Sequence, residues 1–563
     1  MSSDEQHCTS CGSAYAILEE DRAFYATVSP VLAGTTAIIP SPTLCPDCRQ
    51  QRRLAWRNER TIYQRTCDLC KKNIVSSHHP DHPYPVHCVQ CWWGDGWDPH
   101  SYGLPFDSQQ PFFEQFLDLQ RRVPQLSMQN DEGITSMNSE YCYDISRCKN
   151  CYRIIGSWFL EDCMYSLCVN HSKDLVDCNT VSENCEMVYE SLDSQHLYHC
   201  QYVQNCENCS DCFFGIDLKG CSDCIACVGL RQKRFCLWNE QLTEEEFRTR
   251  TAGINPGSWA QVRQLREKFD AWSLQFPRLY ANLQNCEGCS GNNLFNCKDV
   301  RGWSIFNAEA CKYVDRSDGP VHSYDIINTG GPQWCYDCVT PDESYRTHFS
   351  TWCWKCKNVM LSDNCHSCES CLGCIGLKRA KYCILNKQYT KEEYERLALQ
   401  IIRSLEAEGA WGGHLPITHS PYAYNESAAM DYYPLTEKEV TRRGWNWRQN
   451  LPYTTGKQTV EWDQVPDAIR DVPDTFTQEI LSCTTCGKNF KVVEKELAFL
   501  RSMPAPIPRQ CFDCRHLARF RRKTPTHIWT RPCDSCGKQL ESTYAPGRPE
   551  KVYCEECILR EVY

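Results

Sequence analysis

The sequence predicts a mixed, β-rich architecture: tandem cysteine-bound modules at both ends, flanking a duplicated, cysteine-rich β-solenoid with helical inserts. Three observations carry that prediction. Cys45–Cys91 returns as Cys511–Cys557 at a constant offset of 466, with 17 of 47 positions identical. In the middle, Cys142, Cys163, Cys185, Cys206 and Cys227 recur at steps of 21 or 22. Residues 206–247 then return as 353–394 at offset 147. Fixed offsets of this kind mark internal duplication and stacked repeats.

The chain has 563 residues, enough for about three to five domains. Its 44 cysteines are the outlying number. The N-terminal MSSDEQHCTSCGS has neither the basic nor the apolar region of a secretion signal, and no apolar run is long enough to span a bilayer. The expectation is a cytoplasmic protein with no membrane contact, where paired cysteines hold metal rather than disulfides. The net charge of −11 is unevenly spread: −2 over residues 1–100, +5 over 478–563 and −14 between them. An acidic middle of that size argues against one nucleic-acid track along the whole chain.

Cys8-x-x-Cys11-Gly12 opens the first unit and Cys45-x-x-Cys48 closes it. Such a knuckle turns tightly enough to aim two thiolates at one ion, with Gly12 supplying a positive φ. Cys67, Cys70, Cys88 and Cys91 form the second set. The C-terminal sets are Cys483, Cys486, Cys511 and Cys514, then Cys533, Cys536, Cys554 and Cys557. Four thiolates close a tetrahedron and leave no position for a substrate, so the expectation is four structural zinc sites.

Between the first two sets, RQQRRLAWRNER reads as a helix with Arg49, Arg52, Arg53, Arg57 and Arg60 on one face. The later copy places Arg515, Arg519 and Lys523 on the positions of Arg49, Arg53 and Arg57, with Arg522 beside them. Two readings stand: a stripe that contacts phosphates of a nucleic acid, or a basic face that is solvated or docked on the acidic middle. Trp92, Trp93 and Trp97 follow Cys91 and read as packing against the next domain rather than stacking on bases. The histidines of SSHHPDHPYPVH (76–87) read as a solvated loop between metal ligands.

The stretch TCGKNFKVVEKELAFLRSMPAPIPRQCFDCR resembles a small bacterial family of treble-clef zinc ribbons: a Cys-x-x-Cys-Gly knuckle, an acidic and aromatic middle, a Pro-rich approach and a Cys-x-x-Cys-Arg close. Residues 8–49 match it with a longer middle. The chain as a whole resembles uncharacterised bacterial cysteine-rich zinc-ribbon proteins. The resemblance implies zinc and a cytoplasmic location, and it brings no established activity.

PFFEQFLDLQRRVPQL (111–126) reads as a short amphipathic helix stopped near Pro124. In the solenoid, a period near 21 predicts coils of that length, with a cysteine of each coil above that of the next. Both copies close on Asn-x-Gln-x-Thr-x-Glu-Glu, so Thr243 with Glu246 and Thr390 with Glu393 are expected to be capping boxes that turn strand into helix. The 28 cysteines of the middle leave three readings: packed thiols, additional zinc, or iron–sulfur and redox chemistry. Cys365, Cys368, Cys371 and Cys374 are spaced like a ferredoxin run, yet Ile375 follows where that run has a longer gap and a proline. Residues 411–477 read as an irregular connector with a helix from Thr436.

The expected division is zinc ribbons at 1–66 and 67–100, a helical connector at 101–139, and solenoid half A at 140–242. A helical insert follows at 243–283, half B at 284–389, a helix and connector at 390–477, and zinc ribbons at 478–532 and 533–563. No phosphate-binding Gly loop, dinucleotide fingerprint, His-Glu-x-x-His or Gly-x-Ser-x-Gly is present. The expected function is a non-enzymatic zinc scaffold whose basic modules bind RNA or a ribonucleoprotein. The alternatives are a protein-interaction scaffold built on the solenoid, and a metal-handling or thiol-redox protein.

Overall fold

The structure is a computed structural model that describes residues 3–182, 192–195, 200–298, 300–306, 312, 324, 336–339, 348–353, 355–522 and 527–562. Cys185, Cys311, Cys335 and Lys523 lie outside the described residues.

A β-solenoid occupies the middle of the chain, over residues 143–384. Its coil is set by parallel pairing. Tyr143 pairs with Ile155, Ile155 with Leu167, and Leu167 with Asn179, a step of 12 at each coil. The second half keeps that step at Lys357, Glu369 and Lys381, and shortens it to 11 between Ser290 and Arg301. The expected coil of about 21 residues is therefore wrong.

Every third residue explains the difference. Asp144, Arg147, Asn150 and Arg153 all have positive φ, and so do Asp162, Tyr165, Asp174 and Asp177 further on. Four left-handed corners in 12 residues make a four-sided coil with three residues per side. Asn and Asp tolerate that corner better than other L-residues, which accounts for their density here. The residue two before each corner points inward: Cys142, Ile145, Cys148, Cys151 and Ile154 are all buried. A step of 21 is seven such triplets, so those cysteines fall on different sides of their coils. The true vertical neighbours are Cys151 with Cys163 and Cys212 with Cys224, at the coil step of 12.

The lumen is narrow, and small side chains fill it while satisfying backbone carbonyls. Cys209 Sγ donates to the carbonyl of Leu218 at 3.4 Å, and Cys374 Sγ to that of Cys383 at 3.4 Å. Serine does the same work where it replaces cysteine: Ser157 Oγ donates to Ile155 O and accepts from Val169 N. Gly291 is the tightest point. Its φ is +139°, and a Cβ there would sit 1.8 Å from the carbonyl oxygen of Gly302.

Both halves stop in the same way. Arg234–Leu237 turns through Trp238 and Asn239, both at positive φ, into Glu240–Gln241; Lys381–Ile384 turns through Leu385 and Asn386 into Lys387–Gln388. Asn386 uses its amide as a false peptide, exchanging two 2.8 Å hydrogen bonds with the backbone of Ile375, and Asn239 does the same with Val228. The last coil's open edge is thereby closed. The capping boxes at Thr243/Glu246 and Thr390/Glu393 form as expected and start helices Glu244–Thr251 and Lys391–Ala407. Thr436 likewise caps Glu437–Arg442, and Phe112–Arg122 is the expected amphipathic helix.

Helices lie along the outside of the solenoid because the two repeats nearly match. One helical turn rises about 5.4 Å and one coil about 4.8 Å, so a helix parallel to the solenoid axis presents roughly one side chain per coil. Glu19–Val28 follows the column Lys312, Tyr324, Tyr336 and His348, themselves linked by bridges at the coil step. Asp21 meets Lys312 and Tyr324, Phe24 stacks on Tyr324, Tyr25 meets Tyr336 edge-on, and the Val28 carbonyl takes a 2.8 Å bond from His348 Nε2. Phe512–Arg522 follows the column Arg153, Tyr165 and Asp177. Phe512 stacks on Tyr165 and lies under Arg153, while Arg515 and Arg519 both reach Asp177. These two helices cross: Glu19–Val28 rides the second half of the solenoid, and Phe512–Arg522 rides the first.

Candidate metal centres

Each centre takes one cysteine pair from a hairpin turn and one from the start of a helix. Cys8/Cys11 sit between strands Ser3–His7 and Ala14–Leu18, and Cys67/Cys70 between Tyr63–Thr66 and Asn73–Ser76. The turn needs a positive φ after the second thiol. Gly12 (76°), Gly487 (71°) and Gly537 (78°) supply it, and Lys71 (62°) adopts it in the second centre. The second pair opens a helix: Cys45 is the N-cap of Pro46–Leu54, Cys88 is the N-cap of Val89–Trp93, and Cys511 precedes Phe512–Arg522. A helix N-terminus favours the thiolate that a metal needs.

In all four sets the four sulfurs lie within 4.8 Å of one another. Sγ–Sγ separations are 3.7 Å for Cys11–Cys45, 3.9 Å for Cys70–Cys88, 3.8 Å for Cys486–Cys511 and 3.8 Å for Cys536–Cys554. A disulfide needs about 2.05 Å. A tetrahedral ion with about 2.3 Å metal–sulfur bonds puts its sulfurs about 3.8 Å apart, so the donor set fits a zinc-sized, thiophilic ion. In each set one member is exposed (Cys11, Cys70, Cys486 and Cys536), which leaves a way in for the ion. The hydrogen bond from Cys48, working against burial, holds the Cys45 thiol down to about 5.

Two copies share a brace besides the ligands. Arg65 pairs with Asp68, whose carboxylate accepts from Val86 N at 2.6 Å; Arg531 pairs with Asp534, which accepts from Val552 N at 2.7 Å. The brace ties each knuckle to the strand that leads into its helix.

The described part of the basic stripe is buried or half-buried. Pro46–Leu54 is shorter than the expected helix, so Arg57 and Arg60 lie beyond its end. Arg49, Arg53, Arg57, Arg515 and Arg519 are buried. Asp337, on a solenoid corner, pairs with Arg52 at 2.5 Å and with Arg53. Arg57 pairs with Glu59 and with Asp144, another corner, and its guanidinium lies 4.8 Å from the Trp352 ring. Asp177 takes Arg515 at 2.9 Å and Arg519 at 2.8 Å, and Glu496 takes Arg515 from the other side. Arg60 pairs with Asp431, and Arg522 is half-buried. Acidic residues of the chain itself, chiefly on the solenoid corners, are the counter-surface for these arginines, as in the docked alternative of the two readings.

The histidine loop is also internal rather than solvated. His78 and His87 are buried, and His78 Nε2 meets the Leu126 carbonyl at 3.1 Å while its ring stacks on Tyr422. Burial pushes the His82 ring down to about 4. No described histidine joins a metal set. Trp92, Trp93 and Trp97 pack inward as expected and surround a single cation: Lys378 Nζ lies 4.4, 5.5 and 5.0 Å from their rings and donates to the Trp92 carbonyl. No spacing in the sequence pointed to Lys378. The corner aspartates were missed as well, although the step of three between inward residues was there to be read.

No described protein family and no curated protein matches the chain. Among solved structures, it is similar to a putative acetyltransferase from Desulfovibrio desulfuricans G20 at 11% identity, over 41% of this chain and 63% of that one. The TM-score of 0.10 is too low for that likeness to carry any argument.

Proposed function

We propose that the chain is a non-enzymatic, zinc-held scaffold whose outer surface serves a protein partner, and in which the metal modules act as clamps on the solenoid. One observation carries the reading: the helices that begin at Cys45 and Cys511 place Arg53 and Arg519 on solenoid aspartates. The modules' most distinctive surface is thus turned inward. Four closed thiolate sets support a structural rather than catalytic metal.

The RNA reading keeps little support. Its repeated basic helices are occupied within the chain, and the exposed sides of the solenoid alternate in sign, as in the ladder Lys149, Glu161 and Lys173. A surface of alternating sign gives a polyanion no continuous track. No helix among the described residues is long and apolar enough to cross a membrane.

The test is metal content and partner capture on the same full-length protein. About four zinc ions per chain, with protein partners retained after nuclease treatment, are expected. Salt-dependent RNA binding with nuclease-sensitive capture overturns the scaffold reading in favour of RNA.

A further inference from the structure

The two halves of the solenoid end alike but hold one cation differently. At offset 147, Arg231 answers to Lys378. In the first half Arg231 Nη2 pairs with Asp217 Oδ1 at 3.0 Å. In the same column Lys219 pairs with Glu207 at 3.3 Å. The second half keeps neither carboxylate: Asp217 answers to Asn364 and Glu207 to Trp354. Lys219 answers to His366, which is buried and bridges to Lys378 at the coil step.

The replacement comes from the N-terminal modules. Trp92, Trp93 and Trp97 surround the Lys378 ammonium, and it donates to the Trp92 carbonyl. Trp92 and Trp93 also pack on His366, with ring centroids 5.5 and 4.8 Å away. Gly376, a corner of the same coil with φ +70°, makes the room: a Cβ there would lie 3.2 Å from the Trp97 ring. The C-terminal copy of the module lacks these rings, with Ile558 and Leu559 at the positions of Trp92 and Trp93.

The rings stand on a helix that the second metal set organises. Val89–Trp93 is five residues long, too short to persist by itself. Cys88 is its N-cap, Cys91 lies within it, and Trp92 N donates to the Cys88 carbonyl at 2.8 Å. Aromatic faces hold an ammonium only while they stay gathered around it.

We propose that Lys378 in its tryptophan cage is a latch gated by the second metal set. With Cys67, Cys70, Cys88 and Cys91 loaded, the short helix keeps the cage closed on the last coil of the second half; loss of the ion frees the lysine. The inference rests on the reading of the modules as clamps. It gives the second module its own counterpart of the arginine–aspartate docking made by the helices that begin at Cys45 and Cys511. Linkage runs both ways, so a closed cage also holds the ion more tightly.

The experiment treats the zinc-loaded, full-length protein with an amine-acylating reagent and reads each lysine by peptide mass spectrometry. Lys381, exposed and three residues on, is the reference. Lys378 is expected to react about tenfold more slowly than Lys381, and to approach it once a chelator has removed the zinc. Cys91→Ser is expected to do the same without chelator. Cys557→Ser, the equivalent change in the fourth set, is expected to leave Lys378 protected. Lys378→Met is expected to speed the release of one zinc ion and no other. A Lys378 that labels as fast as Lys381 with zinc bound, or that stays protected after zinc is removed, overturns the latch. Both results are read on the unsubstituted protein, whether or not the variants fold. A chain that holds no zinc fails the clamp reading itself and takes the latch with it, and the metal count shows that before any labelling.

Discussion

Arg519 Nη1 lies 2.8 Å from Asp177 Oδ1, and each side chain is only 1% exposed. Arg53, its equivalent 466 positions earlier, meets Asp337 in the same relation. Asp177 and Asp337 both occupy left-handed corners immediately before an inward cysteine, Cys178 and Cys338. One device has therefore been used twice: a helix opened by a metal ligand delivers arginine to an aspartate that the corner geometry itself favours.

Breaking that pair from the solenoid side is the more damaging direction. Asp177→Ala removes one of the carboxylates that Arg515 shares with Glu496 and leaves Arg519 with no carboxylate partner among those described. Stranding a buried charge costs about 3–5 kcal/mol. Denaturant unfolding of Asp177→Ala is expected to show a loss of that size. A surface change such as Arg122→Ala, at an exposed pair with Asp118, is expected to lose less than about 1 kcal/mol. Equal losses at the two sites contradict the docking account.

The Asp337 pair gives an acid limit. Burial raises the Asp337 carboxyl, but Arg52 and Arg53 more than offset it and hold the pKa down to about 2 from the usual 3.8. A depressed folded pKa stabilises above the unfolded value and is lost as protons bind the native state. The contribution is present above about pH 4 and fades as pH falls towards 2. Melting temperature against pH is expected to fall more steeply in that window for the parent chain than for Asp337→Asn.

Removing metal is expected to release the clamps before it unravels the lumen. The helix carrying Arg515 and Arg519 starts at Cys511, so Cys514→Ser frees its first turn while leaving the coil hydrogen bonds intact. Hydrogen exchange is expected to rise in 494–522 and along 153–177, with little change in 222–237. A uniform rise throughout would mean that the solenoid cannot hold without its clamps.

The metal sets and the duplications were legible because they are written in residue identity at constant offsets. The identical positions of the two end copies are accounted for in large part: ligands, the Arg65/Asp68 and Arg531/Asp534 braces, and the docking pair Arg53/Arg519. The coil length was hidden by chemistry. Cys-x-x-Cys means a metal turn at the ends and one side of a four-sided coil in the middle, and the same spacing serves both. The residue before the second cysteine does not separate the two meanings either, because Asp stands there in CPDC and CFDC of the metal sets as it does in CSDC of the solenoid. The fate of the basic stripe was not legible, because charge alone does not say whether its counter-ion is a phosphate or a corner aspartate of the same chain.

The closing asparagines give a fourth test. Asn386 is fully buried and pairs with both backbone groups of Ile375. Asn386→Ala strands both, at about 1–3 kcal/mol for each unsatisfied group. The exposed coil edge is then a template for another chain. A lower melting temperature together with concentration-dependent association is expected, and a monomer as stable as the parent contradicts the false-peptide role.

Asp363 is a buried carboxylate for which neutralisation should help. It sits in the column with Thr351, which donates to it, and Asn364 lies 3.3 Å away; no arginine among the described residues pairs with it. Burial pushes its pKa up to about 6 from the usual 3.8, against those hydrogen bonds. A raised folded pKa means that the native state holds its proton more tightly than the unfolded chain. Stability is then fully present below about pH 4 and is lost as pH rises through about 6. Asp363→Asn carries no charge at any pH. It is expected to match the parent below pH 4 and to exceed it by about 2–3 kcal/mol at pH 8, in denaturant unfolding at the two pH values. A variant less stable than the parent at pH 8 would mean that the charged form has a partner in the solenoid wall, and the sign of the argument would reverse.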